Sequence, residues 1–198
     1  KGDRITLLDY HWYQNKDGKV YKRGIKVSGH GEYGVPTLKE KEVLLALQRT
    51  YIKTHSHLGV WTPIPPEEIK PKDLEIEFTI NELCKEMGYS TPNPRTREGL
   101  KISIETLVAT TLFSTYEGGI YDIKKSDYVQ NDKIGFHYLE TIEGYTIKNA
   151  DGIEISDVTK IRLGMFFYIS LANNYKVYYS ELERAKIKNL LAKDIYLH

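Results

Sequence analysis

Two Thr-x-x-Glu boxes, Thr37 to Glu40 and Thr79 to Glu82, restrict most strongly what this chain can fold into. In such a box the threonine hydroxyl accepts an amide of the first turn, and the glutamate reaches back to the amide of the cap. Each box therefore marks a helix start. Val43, Leu44, Leu47 and Tyr51 follow the first at helical spacing and predict a helix over 37–53. Leu83 and Met87 follow the second, and Gly88 stands where a helix terminator belongs. Between the boxes, Pro63, Pro65, Pro66 and Pro71 make 54–73 a loop, and the alternating LEIEF of 74–78 reads as a short strand. A connection of seven residues leads to a third helix, with Asn93 as its cap and Pro94 in its first turn. Leu100, Ile104, Leu107 and Val108 form its apolar stripe.

The flanks read mainly as strands. ITLLDYHWYQ at 5–14 is rich in strand formers, Asp17-Gly18 supplies a tight turn, and Lys19 to Val27 returns. Gly29, Gly31 and Gly34 mark a connection. Past Thr111, Leu112 to Tyr116 and Ile120 to Lys124 flank Glu117-Gly118-Gly119 and predict a hairpin. Ile134 to Tyr145 and Lys160 to Ile169 are expected strands, with turns at Gly144 and Asp151-Gly152. Ser180 and Glu183 form a third box before a stripe of Ile187, Leu190, Leu191 and Ile195. The expected units are an N-terminal β-hairpin extension at 1–34, a helix and strand domain at 35–179, and a C-terminal helix at 180–198 that begins a second domain.

Composition narrows the function classes. Of the 198 residues, 40% are hydrophobic, enough for a core. The longest apolar run, Met165 to Ala172, is far shorter than the roughly 20 residues of a membrane span. The single cysteine, Cys84, permits no internal disulfide, so a reducing, cytoplasmic setting is expected. The net charge is only +1, but residues 1–30 set seven basic side chains against three acidic ones. The chain opens on Lys1, and a portion of a longer protein is expected. His55 and His57 lack further ligands at a recognisable spacing, and there is no GxxxxGK[ST] or GxGxxG motif. No metal site, cofactor or enzymatic activity is expected.

Helix, strand, helix, turn, helix and then a β-hairpin is the order of a winged helix. The class expected is α+β: a helix-turn-helix with a hairpin wing, an N-terminal β-hairpin and additional antiparallel strands. In such a domain the third helix enters the major groove of DNA, apolar face inward and polar face toward the bases. Arg95, Thr96, Arg97 and Lys101 occupy its N-terminal half, and Ser90 and Thr91 lie in the preceding turn. Lys124, Lys125 and Lys133 lie near the expected wing, and Lys19, Lys22, Arg23 and Lys26 on the N-terminal hairpin. Ordinary solvated charges explain any of these groups equally well one by one.

Three stretches together carry a family resemblance: GEYGVPTLKEKEVLLALQ, EFTINELCKEMGYS and TREGLKISIETLVATTL. They resemble the plasmid replication initiator A family over residues 29–113, and the remainder matches more loosely. The resemblance implies a winged-helix protein that binds double-stranded DNA at a plasmid origin, helps open it and recruits host replication proteins. It also implies that this portion contributes to a homodimer and that a later domain shares the base reading. The alternatives are a winged helix used for dimerisation or protein contact, and a metal-dependent nuclease using the histidines.

Overall fold

The computed structural model describes residues 5–119, 121–122, 127–128, 135–148 and 154–172. The expected helix from Ser180, the turn at Asp151-Gly152 and the residues Lys124, Lys125 and Lys133 lie outside them.

The chain begins with two ten-residue strands, β1 (Leu7–Lys16) and β2 (Lys19–Ser28). Asp17 and Gly18 join them with φ of 52° and 74°, the left-handed pair that matches strand twist in a two-residue hairpin. Helix α1 (Leu38–Thr54) follows its capping box, with Thr37 as the cap. A short 3-10 turn at Pro71–Leu74 leads into β3 (Glu75–Thr79), and Thr79 both ends that strand and caps α2 (Ile80–Glu86). Gly88, at φ 84°, terminates α2: its amide bonds to Lys85 and that of Tyr89 to Cys84, a Schellman closure. Helix α3 (Pro94–Ala109) starts at Asn93, whose side chain accepts the Thr96 amide at 2.8 Å.

Seven further elements follow among the described residues. They are β4 (Thr111–Tyr116), β5 (Tyr121–Asp122), β6 (Asp127–Tyr128), β7 (Gly135–His137), β8 (Leu139–Lys148), β9 (Glu154–Leu163) and α4 (Met165–Ala172). All described strand pairs are antiparallel. One sheet runs β1-β2-β4-β7, a second runs β3-β9-β8, and β5 pairs with β6. The architecture is mixed α+β.

Three expectations are corrected by this pairing. The hairpin expected across Glu117-Gly118-Gly119 is not the pairing found among the described residues: β4 pairs with β2, its first three residues also with β7, and Tyr121–Asp122 with β6. Gly119 folds back over β2 instead, where its missing Cβ would meet the Gly24 carbonyl, and its amide donates to Ser114 Oγ at 2.8 Å. Gly144 is no turn: it sits inside β8 opposite Thr159. Met165 to Ile169 is helix rather than strand; with Ser170 the one clearly polar residue of MFFYISLA, the sequence sets no period of two or of 3.6.

The core joins the four helices to the second sheet. Val43, Leu47 and Tyr51 of α1, Leu83 of α2, Leu100, Ile104 and Leu107 of α3, Ile161 and Leu163 of β9, and Tyr168 of α4 are buried together. Polar clamps hold its rim. Glu40 is buried, yet its carboxylate accepts from the Thr37 amide at 2.9 Å, from Thr37 Oγ1 at 2.5 Å and from Ser103 Oγ of α3 at 2.7 Å. Burial opposes its charge, but the Thr37 and Ser103 donors outweigh burial and hold its carboxyl below the ordinary value. Nearby, Lys39 Nζ donates to the Gly99 carbonyl at 2.7 Å, and a Cβ at Gly99 would lie 2.9 Å from that nitrogen. Glu86 of α2 accepts Arg49 at 3.1 Å and Lys53 at 2.5 Å from α1. The loop after α1 is pinned as well: Tyr51 donates to the Asp73 carbonyl at 2.7 Å, and Tyr168 to that of Ile64 at 2.6 Å.

Replacing Glu40 with Gln should cost about 1.5–3 kcal/mol, the range for hydrogen bonds to a charged group. Because the folded carboxyl titrates below its ordinary 4.5, its contribution is complete above that pH and is lost as the pH falls through the folded value. Urea denaturation of both proteins should therefore show a gap at neutral pH that narrows on acidification. A gap independent of pH would assign Glu40 a packing role only.

Candidate nucleic-acid interface

Helix α3 is held by its apolar stripe and displays what remains. Leu100, Ile104 and Leu107 are at most 1% exposed, and Ser103 and Thr106 are buried beside them. Arg95, Arg97, Glu98, Lys101 and Glu105 are exposed. At 3.6 residues per turn, Arg97 and Lys101 stand one above the other on one flank of the stripe, and Arg95 projects from the other. Glu98 and Glu105 occupy the middle of the outer face. The exposed surface is thus mixed in sign along its length and basic chiefly at its N-terminal turn. The first four amides of a helix lack intrahelical partners, so that turn also carries partial positive charge.

Ser90 and Thr91 are exposed in the turn between α2 and α3, beside the half-exposed ring of Tyr89. Thr96 is engaged differently: its amide and its Oγ1, at 3.0 Å, both point to Asn93 Oδ1, so its hydroxyl belongs to the cap. Lys101 Nζ reaches Asp157 of β9 at 3.9 Å, with both side chains about half exposed. That contact places the β8–β9 hairpin beside α3. Strand β9 in turn pairs over Val158–Arg162 with β3, where Glu75 takes Lys160 at 2.8 Å and Arg162 at 3.0 Å. These two cations draw the Glu75 carboxyl below its ordinary range.

The basic residues of the N-terminal hairpin part company. Lys19 is exposed and Lys26 partly so, while Lys22 sets its ammonium 3.8 Å from the Tyr116 ring centre. Arg23, read from sequence as a surface charge, is only 1% exposed. It donates to Gln14 Oε1 and to the Glu117 carbonyl, and its guanidinium lies over the rings of Tyr21 and Tyr128. Its cross-strand partner in β1, Trp12, stands 6.0 Å from Tyr128, ring to ring, on the same side. Only a long-range pairing could have revealed this, because Glu117 lies 94 residues away.

The remaining candidates hold structural positions. Cys84 is buried, and burial raises its thiol above the ordinary value. His55 caps the end of α1, stacked on Tyr51 at 4.2 Å, and His57 bridges to Val60. Among the described residues no three His, Cys, Asp or Glu side chains converge as a metal site would need. No described helix is long and apolar enough to cross a membrane.

No family model matches the chain, and no curated protein does. Solved structures do. A crystal structure of selenomethionine derivatives of domain 2 and domain 3 of RctB superimposes with a TM-score of 0.64 at 13% identity, covering 98% of this chain and 63% of that one. A second structure, of RctB domains 2-3, gives 0.61 at 13% identity, with 96% and 62% covered. The chain therefore shares the fold of those two domains and spans less than two thirds of the chains it matches.

Since none of the exposed cations of α3 supports the core, the combined Arg95→Ala, Arg97→Ala, Lys101→Ala variant should keep its stability within about 1 kcal/mol by urea denaturation. Asn93→Ala should lose about 1 kcal/mol through its cap. The reverse ranking would mean that the cations are structural.

Proposed function

We propose that the chain binds double-stranded DNA at a plasmid replication origin, as the winged-helix portion of a cytoplasmic replication initiator without cofactor or catalysis of its own. In this reading α2 and α3 form the helix-turn-helix, and the wing is the β8–β9 hairpin rather than the one expected at 112–124. The observation that carries it is the return of β9 onto β3, the strand between α1 and α2, which sets a long hairpin beside α3. The sequence resemblance to plasmid replication initiator A and the fold shared with RctB domains 2 and 3 support the same reading.

The charge pattern of α3 favours approach by its N-terminal turn. There Arg95, Arg97, Ser90 and Thr91 meet phosphate or base edges, and the helix dipole favours the anion. Lys101 joins them by exchanging Asp157 for phosphate. Glu98 and Glu105 keep the rest of the helix off the duplex. Host replication proteins are the further partners this role calls for.

A second reading rests on β1, an edge strand of ten residues with Leu7, Leu8, Tyr10 and Tyr13 exposed. A second copy pairing edge to edge would form a homodimer. The Lys16↔Lys19 pair closes a two-residue hairpin, so the alternation points the His11 amide outward. His11→Pro should then turn a dimer into a monomer by size exclusion with light scattering. A monomeric parent chain would end the dimer reading.

For duplex binding, the triple alanine variant of α3 should weaken binding to origin DNA. It should also reduce the slope of log K against log salt by about 0.9 for each phosphate no longer neutralised. Supercoiled plasmid incubated with the chain, with or without magnesium, should stay uncut. Unchanged affinity and slope would remove α3 from the interface, and metal-dependent nicking would restore the nuclease alternative.

A further inference from the structure

The outer face of the β1-β2-β4-β7 sheet takes no part in the duplex reading. Register places Asp9, Lys26, Phe113 and Gly135 across one line of this face, His11, Gly24 and Thr115 across the next, and Tyr13 and Lys22 across a third. His11 lies 6.1 Å from Tyr13 and 5.9 Å from Tyr116, ring to ring. Strand alternation alone would send Tyr116 to the opposite face with Arg23. Its left-handed φ of 58° brings the ring back over Gly24, where a Cβ would lie 2.7 Å from Tyr116 Cδ2. Phe113 lies across Gly135 in the same way, 2.9 Å from where a Cβ would be.

Two bare glycines thus let two rings lie down on the backbone, next to two rings on β1. These are not core positions: Tyr13 is 66% exposed, Tyr116 39% and Phe113 37%. Lys22 and Lys26 stand among them, with Asp9 across from Lys26 and the Glu117 carboxylate held by the Lys22 amide at 2.6 Å. We infer that this face binds a single-stranded nucleic acid, with bases stacking on Tyr13, His11, Tyr116 and Phe113 and phosphates meeting Lys22 and Lys26. Ring faces suit any base, and the two ammonium groups select a polyanion over a neutral peptide. A base that settles on Tyr116 takes the place of the Lys22 ammonium, which moves to the adjoining phosphate. The inference rests on the initiator reading, because an opened origin presents single strands, but it uses a different surface from α3.

Fluorescence anisotropy of the whole chain with a short oligothymidylate, an oligouridylate and an origin duplex tests it. Tyr13→Ala should weaken single-strand binding about 5-fold or more while Tyr13→Phe keeps it. The pair Lys22→Gln, Lys26→Gln should reduce the single-strand salt slope by about 0.7 for each phosphate that either lysine neutralises. The α3 triple alanine variant should lose the duplex and keep the single strand, so the two readings fail separately. Preference for either oligomer supports the inference and distinguishes DNA from RNA. It is overturned if the parent chain binds neither oligomer, or if Tyr13→Ala leaves binding unchanged. A dimer that Tyr13→Ala dissociates without altering oligomer affinity also overturns it and assigns the face to a second copy.

Discussion

One buried carboxylate ties the first helix to the third. Glu40 would be costly in a core without partners, and it is tolerated because three donors converge on it, two from its own cap and one from the middle of α3. Lys39 adds a second tie one turn away by donating to the Gly99 carbonyl, where the missing side chain leaves room for its ammonium. Glycine inside a helix costs about 1 kcal/mol against alanine, and access of the Lys39 ammonium to the carbonyl is what this one permits. The Arg49 and Lys53 contacts to Glu86 fix α2 to α1 in the same manner. The direction in which the first turn of α3 projects is therefore set from α1, through side chains remote from any ligand.

What could be read in the sequence was local. Caps at Thr37, Thr79 and Asn93, the Asp17-Gly18 turn and the Gly88 terminator each depend on a handful of neighbouring residues, and each has its expected role in the structure. Misreadings arose where a distant partner decides. Glu117-Gly118-Gly119 has good turn chemistry, but β4 pairs along its length with β2, far earlier in the chain, and Gly119 packs onto that strand at Gly24. Arg23 alternates like a surface residue until Tyr21, Tyr128 and Glu117 enclose it. Met165 to Ala172 is apolar but for Ser170, and so short a run carries no period that separates a helix from a strand. For the candidate interface, residue types at Arg95, Arg97 and Lys101 were visible, whereas the Asp157 contact and the role of Thr96 in the cap required the fold.

The chemistry divides between two supports. Helices α2 and α3 with β8–β9 present cations at a helix start, a surface that suits a phosphate backbone held at a distance. The N-terminal sheet presents rings lying on glycines, a surface that suits unstacked bases at close range. Strand β7 and helix α4 join the two, with Phe136 against Phe166 at 4.0 Å between ring centres. Proteins that separate strands need both kinds of surface, because paired bases hide the faces that single strands expose.

The pairing of β2 with β4 also dictates an order of assembly. The β1–β2 hairpin closes through a two-residue turn and can form within microseconds, before most of the chain is present. Its other neighbour stands 94 residues downstream at the Arg23–Glu117 contact, a loop that closes late and slowly. During synthesis the hairpin therefore waits with both long edges unpaired and with the future pocket of Arg23 open to water. Arg23 is thus hydrated with its neighbouring lysines until β4 arrives, and only then trades water for the Glu117 carbonyl and the tyrosine rings.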